Sequence, residues 1–281
     1  MGRHGKGTAA DAEEGVNGER SAPDGPLELS VVIPARDAAG VLEDQLAALA
    51  AQRWDGTWEV IVAVDSGSTD GTAEVVCRHA GGGPRIRVVD AAPGAGPGAS
   101  RNVVVGDGWV AAMGDALRHH EFVTGPLELD RLNPPWVVES RGRSFAEARA
   151  VFEGIFPYAS SCNLGLRRSL FERIGSFDAS WRVGEDLDLS LRLWLSGVDL
   201  HFEPDAVVHY RYRPTLRSTY RQARSYGRVR PVLAERLRRA GRPAPNRGAG
   251  LRNWAWLLRH LPLLTGRAGR AKWLWVRRLY L

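Results

Sequence analysis

Cysteine is scarce in this chain. Cys77 and Cys162 are the only two among 281 residues, and they lie far apart. Such a pair excludes a disulfide scaffold and a cysteine-built zinc site, and it points to a reducing compartment, the cytoplasm. Long apolar runs are missing as well: a stretch of about 18 apolar residues, the minimum for a spanning helix, occurs nowhere. The opening MGRHGKGTAADAEEGVNGERSAPDGP has no apolar segment, so neither a signal peptide nor an anchor is expected in it, and residues 1–26 are expected to form a disordered tail. No internal repeat is visible. Composition is otherwise that of a soluble globular chain, with 44% hydrophobic and 25% charged residues. Its Ala, Gly and Arg content fits a bacterial source of high GC content.

Acids are almost absent from the last quarter. From Arg211 to Leu281 there are 19 Lys and Arg and one acid, Glu235, so this tail carries +18 and the rest of the chain −12. The tail also holds Trp254, Trp256, Trp273 and Trp275. Basic helices bearing tryptophan fit an anionic membrane surface, with arginines toward headgroups and indoles at the interface. The same composition fits helices packed over the body with their arginines in water. Nucleic acid is not expected as a partner: the tail carries no recognised binding-fold signature, and the body is acidic.

What is present is an alternation of strands and helices. Short apolar runs at 27–35, 58–66 and 85–91 predict buried strands, and helical periods cover 38–52 and 69–80, with Asp70 as N-cap of the second. Continuous apolar strands separated by helices imply a parallel, doubly wound α/β sheet. A glycine-rich stretch at 92–100 leads to a helix starting near 100–104, and a further helix is expected at 107–120. A strand and turn follow at 121–129, then an aperiodic segment, 130–158, expected as loop. Helices are expected at 169–177, closed by Gly175, and at 184–197, then an extended run at 198–213. The basic stretch 215–240 is helical with a break near Gly227 and Pro231, and two further helices close the chain.

Three segments carry residues suited to chemistry. VDSGSTDGT (64–72) follows a strand, where parallel sheets bind ligands at their carboxyl ends; Asp65 can accept from a base or ribose, and the segment also reads as a plain polar turn. GEDLDLSLRLW places Glu185 and Asp186 at a helix start, where free backbone N–H groups stabilise carboxylates whether or not one of them acts as a general base. His209 in AVVHYRYR is a lone histidine, more often packed than ligating.

In series, LSVVIPARD, EVIVAVDSGSTDGT, GPGASRN and ASSCNLGLRRSLFERIGSFD with GEDLDLSLRLW and AVVHY resemble the family-2 glycosyltransferases over about residues 28–213. Asp37 stands where that family often has Asn, and Ser66 where a second Asp is common. The resemblance implies a GT-A fold, α/β and Rossmann-like, with a mostly parallel sheet flanked by helices and here a basic helical C-terminal extension. It implies a GT-A-like domain at 27–213, with a nucleotide-binding part (27–106) and an acceptor part (107–213), followed by the Trp-rich tail 214–281. The implied reaction moves a sugar from a nucleotide-diphosphate sugar to an acceptor hydroxyl, glycan or lipid-linked, with inversion. By resemblance, Pro34, Asp65 and Arg101 contact the nucleoside, Asp186 is the base with Glu185 beside it, and His209 joins a divalent metal, Mn or Mg, or the phosphates.

In the family that metal is held by an Asp-x-Asp pair at the end of a further strand, after the ARN-like motif. Here only six residues separate Asn102 from Trp109, too few for a typical strand of about five residues plus a turn and an acidic loop. The Asp-x-Asp segment is therefore expected to be missing. The literal Asp186–Leu187–Asp188 belongs to the base motif, and Glu128–Leu129–Asp130 comes in the wrong order. Loss of the metal ligands predicts weakened or lost transfer, since the leaving group's charge goes unneutralised. The alternative is a non-catalytic scaffold that binds a sugar nucleotide or a membrane surface. The expected location is the cytoplasm, peripheral on the inner face of the plasma membrane.

Overall fold

The computed structural model describes residues 26–79, 83–92, 103–143, 148–181, 183–245 and 249–280. Arg101, most of the glycine-rich stretch and the expected N-terminal tail up to residue 25 lie outside them.

Three strands, β1 (Leu29–Ala35), β2 (Trp58–Asp65) and β3 (Arg85–Ala91), form a parallel sheet in that order, linked through α1 (Ala39–Ala50) and α2 (Thr72–His79). Right-handed crossovers between strands added in one direction place both helices on one face. Val31, Ile33, Val60 and Val62 are buried there with Leu42, Leu46, Leu49 and Val76. On the other face Val32 is 61% and Val89 41% exposed. Among the described residues β1 pairs only with β2 and is an edge strand.

The helix expected near 100–104 is corrected. Val103–Val105 is a strand, β4, antiparallel to β11 (Val208–Tyr210), which also pairs in parallel with β6 (Leu127–Glu128). Three successive β-branched valines take the pleated conformation once a partner strand is available. So a short strand does precede α3 (Trp109–His119), but it ends in Gly106–Asp107–Gly108, with one exposed aspartate in place of a pair, and it does not lie beside β1. Two buried glutamines, Gln45 of α1 and Gln52 just after it, hold this junction. Val105 N donates to Gln45 Oε1 (2.9 Å), Gln52 Nε2 donates to the Gly106 carbonyl (3.0 Å), and Val110 N donates to Gln52 Oε1 (3.2 Å).

Next in the chain, β5 (Phe122–Thr124) lies between β10 (His201–Phe202) and the antiparallel β9 (Leu164–Leu166). The segment 130–158, expected as loop, is corrected too. It holds α4 (Pro135–Arg141) and a hairpin of β7 (Ala150–Phe152) and β8 (Phe156–Tyr158). These elements are seven and three residues long, too short to show a hydrophobic period. Helix α5 (Arg168–Ile174) ends at Gly175, and α6 (Glu185–Leu195) carries the two candidate acids.

The described residues of the tail form α7 (Leu216–Gly227), α8 (Val229–Arg239), α9 (Ala249–Arg259) and α10 (Arg267–Tyr280), with a 3-10 turn at Leu261–Thr265 between the last two. The break between α7 and α8 falls at Arg228. Pro231 sits in the first turn of α8, where its missing N–H leaves no helical bond unmade. Helix α10 packs against α7 and α4, so the tail covers part of the body. The tryptophans are correspondingly divided. Trp273 Nε1 donates to the Leu257 carbonyl, Trp275 meets Tyr226 edge-on and Trp256 stacks on His260, while Trp254 is 49% exposed. Leu251, Leu258, Leu261 and Leu264 are exposed along the same helix and the turn after it. Among the described residues no helix is long and apolar enough to cross a membrane.

Candidate active site

Pro34 and Asp65 lie near the carboxyl ends of β1 and β2, where Pro34 is in register with Ala63. The loops that follow are tied together. Asp37 N donates to Ser68 Oγ, Thr69 N to Asp37 Oδ1, Ala38 N to Thr72 Oγ1 and Ala39 N to Asp70 Oδ2. Asp70 thus also serves the start of α1. Asp37 has a left-handed backbone (φ 40), a conformation that Asp and Asn tolerate best among residues with a side chain. Asp65 is buried; its Oδ1 accepts from Gly67 N (2.8 Å) and its Oδ2 faces Arg36 Nη1 (3.4 Å). The result is a rigid acidic ledge at the sheet's carboxyl edge.

The second set of residues starts at Gly184, whose left-handed φ of 83 turns the chain into α6. A Cβ there would lie 2.8 Å from the Val229 side chain, so glycine is also the residue that fits. Asp186 Oδ2 accepts from Ser161 N (3.0 Å) and Oδ1 from Leu187 N (2.8 Å). Burial raises its pKa, and these two donors oppose the rise. Glu185 Oε2 is buried without a partner. Burial, with the Asp186 charge beside it, pushes the Glu185 carboxyl up to about 7. Two neighbouring acids thus stand in different settings, one fixed by backbone donors and the other buried without a partner. Burial pushes the Cys162 thiol up to about 12, which disfavours the thiolate at neutral pH.

Asp188, the third acid of GEDLD, is wholly buried, where it meets Arg192 Nε (3.0 Å) and Arg236 of α8. It joins α6 to the tail and is unavailable as a ligand. No sequence motif marks out Asn163, yet it ties together three separate stretches of the chain. Its Oδ1 accepts from Trp109 Nε1 (3.0 Å), and its Nδ2 donates to the carbonyls of Pro126 (3.2 Å) and Ala206 (2.8 Å). Its place in SSCNLGL, after the Ser161 that holds Asp186, was the available signal.

His209 lies apart from both sets. Its Nδ1 is 2.8 Å from Glu128 Oε2, and Arg131 Nη1 is 3.0 Å from its Nε2. Glu128 also accepts from Arg131 N and Asp130 N, and its carboxyl is held below the usual range by His209 and these backbone donors against the effect of burial. Asp130 is taken by Arg143 (2.6 Å). Among the described residues no three His, Cys, Asp or Glu side chains gather into a metal site. At the expected metal ligand, the pair Glu128 and His209 has a guanidinium where a cation would stand. This donor set does not fit a divalent metal.

Residues 30–106 match the sequence profile of glycosyl transferase family 2, and residues 126–278, more than half of the chain, match that of glycosyl transferase family group 2. The chain belongs to glycosyltransferase family 2. It is 31% identical over 121 residues to the pre-mycofactocin glycosyltransferase of two Mycobacterium tuberculosis strains. That stretch is 43% of this chain and 25% of those relatives, so the match spans about a quarter of their length. Among solved structures, a mannosyltransferase from Pyrobaculum calidifontis, in complex with GDP-Man and Mn2+, resembles this glycosyltransferase-family chain with a TM-score of 0.50 at 19% identity, covering 89% of this chain and 86% of that one. The likeness is one of fold, and the fold is GT-A.

Proposed function

We propose that the chain transfers a sugar from a nucleotide-diphosphate sugar to an acceptor hydroxyl with inversion. The observation that carries this reading is the pair Glu185 and Asp186 at the mouth of α6, one carboxylate aligned by two backbone donors and the other holding an unpartnered oxygen. The nucleoside lies over Pro34, Asp65 and Arg101 of the nucleotide part (27–106), and the acceptor enters the part formed by 107–213. Asp186 takes the acceptor's hydroxyl proton, and Glu185 sets its basicity. The acceptor oxygen then forms a bond to the anomeric carbon as the bond from that carbon to the diphosphate oxygen breaks on the opposite side. The electron pair leaves with the nucleoside diphosphate.

A divalent metal would neutralise that leaving group. The Mn2+ of the Pyrobaculum relative supports such a cofactor for the family, but the residues around His209 here do not fit one, and no step is routed through it. Transfer is therefore weak or lost. The missing acidic pair favours a second reading, a scaffold that binds the sugar nucleotide without turnover. The tail, 214–281, docks the protein on the anionic inner face of the plasma membrane, near a lipid-linked or glycan acceptor. The exposed Leu251, Trp254 and Leu258 among arginines support this.

The test is calorimetric titration of the full chain with nucleoside diphosphates, with and without Mn2+, followed by assay of sugar release from the matching donor. Binding with turnover that Asp186→Asn abolishes supports transfer. Binding without turnover selects the scaffold. A folded protein that binds none of them sinks both.

A further inference from the structure

Several arginines over the body of this chain meet carboxylates, as Arg78 with Glu43, Arg87 with Glu59, Arg118 with Glu28, Arg149 with Asp199 and Arg192 with Asp188, while Arg53 and Arg167 donate to backbone carbonyls. Arg141, the last residue of α4, does neither among the described residues. Its Nη2 donates to two neutral oxygens, Thr219 Oγ1 (3.2 Å) and Gln222 Oε1 (3.3 Å) of α7. Its guanidinium lies 3.8 Å from the centre of the Trp275 ring and 5.5 Å from that of Tyr212. The side chain is half-buried, and desolvation brings its pKa down to about 10, which still leaves it charged at neutral pH. Besides burial, the hydroxyls of Tyr210, Tyr212 and Tyr226 and the cation of Arg213 act on it most strongly, and among the described residues its hydrogen bonds go to no carboxylate. A desolvated cation without a counter-ion is costly, and a planar guanidinium fork beside hydroxyl donors matches an oxyanion.

The groups around Arg141 come from α4, the segment just after β11, α7 and α10, all later than residue 134 and outside the nucleotide part. Tyr226, bonded through its hydroxyl to Gln222 Nε2 (3.1 Å), also feels the charge of Asp186. We propose that Arg141 is an oxyanion-binding residue which holds a phosphate or carboxylate carried by the acceptor, so that the acceptor of this protein is an acid. The acceptor assignment rests on the transfer reading above; the oxyanion site does not.

Inorganic phosphate is the probe, titrated into the full chain in metal-free buffer and followed by phosphorus NMR, with UDP and GDP as a second arm. Saturable phosphate binding is expected in the parent. Arg141→Gln, which keeps an amide in place of the fork, should weaken it at least tenfold, and Arg141→Lys less. Gln222→Leu, which releases the fork without removing its charge, should weaken it several-fold; melting curves check that each variant is folded. Phosphate that binds together with the nucleoside diphosphate supports the acceptor assignment. Phosphate displaced by the nucleotide overturns it, since the site is then the donor's. No saturable phosphate, or affinity unchanged in Arg141→Gln, overturns the oxyanion site itself. A chain that binds phosphate through Arg141 and no nucleotide keeps the oxyanion site and loses the transfer reading.

Discussion

Ser161 N donates to Asp186 Oδ2 at 3.0 Å, tying the loop before β9 to the first turn of α6. The bond leaves Asp186 aligned and Glu185, one residue earlier, with the only buried side-chain oxygen among the described residues that has no partner. Asp186→Asn keeps an acceptor oxygen for that N–H and removes the base. Any sugar transfer should fall by about two to four orders of magnitude with nucleotide affinity unchanged, as product assay and calorimetry together will report.

Glu185 makes stability depend on pH. Its folded pKa, about 7, lies above the ordinary 4.5, so between those values the native state holds a proton that the unfolded chain has released. Stability is therefore fully present below about 4.5 and falls as pH rises toward 7, by up to about 3 kcal/mol. Glu185→Gln should flatten this slope and melt higher than the parent at pH 8; equal slopes in melting curves would refute the assignment.

Asp188 is a buried anion between Arg192 and Arg236. Asp188→Ala leaves two guanidinia facing a void and should destabilise the fold by about 3–5 kcal/mol in urea unfolding. A change under about 1 kcal/mol would mean that α6 and α8 are joined by apolar packing alone.

Gln52 bonds two backbone groups at the β4–α3 junction, the Gly106 carbonyl and the Val110 N–H. Gln52→Leu strands the Val110 N–H in the core, at about 1–3 kcal/mol, and leaves the Gly106 carbonyl with the Trp109 N–H alone (3.3 Å). Hydrogen exchange at Val110 should rise with the loss of stability, and normal protection there would argue against the junction as described.

Leu251, Trp254 and Leu258 recur on one exposed side of α9, among Arg252 and Arg259. Sedimentation with phosphatidylglycerol vesicles should decline as salt rises from about 50 to about 500 mM. The double variant Leu251→Glu with Leu258→Glu should bind at least tenfold less. Binding that ignores both changes would place the lipid contact elsewhere.

The β1–α1–β2–α2–β3 unit, the GEDLD helix start and the basic tail are legible from sequence because each rests on local signals: apolar strands, turn residues at fixed spacing, an unbalanced charge. The departures lie where pairing partners are remote. Val103–Val105 reads as the start of a helix until β11, about a hundred residues later, offers it an antiparallel edge. Helix α4 and the β7–β8 hairpin are too short to carry a period of their own. That Asp188 is spent on Arg236, that Arg131 stands against His209, and that Arg141 is left without a carboxylate are outcomes of packing between distant segments. Residue types and spacing state which charges a chain owns; only the folded arrangement decides which neutralise one another and which remain to meet a ligand.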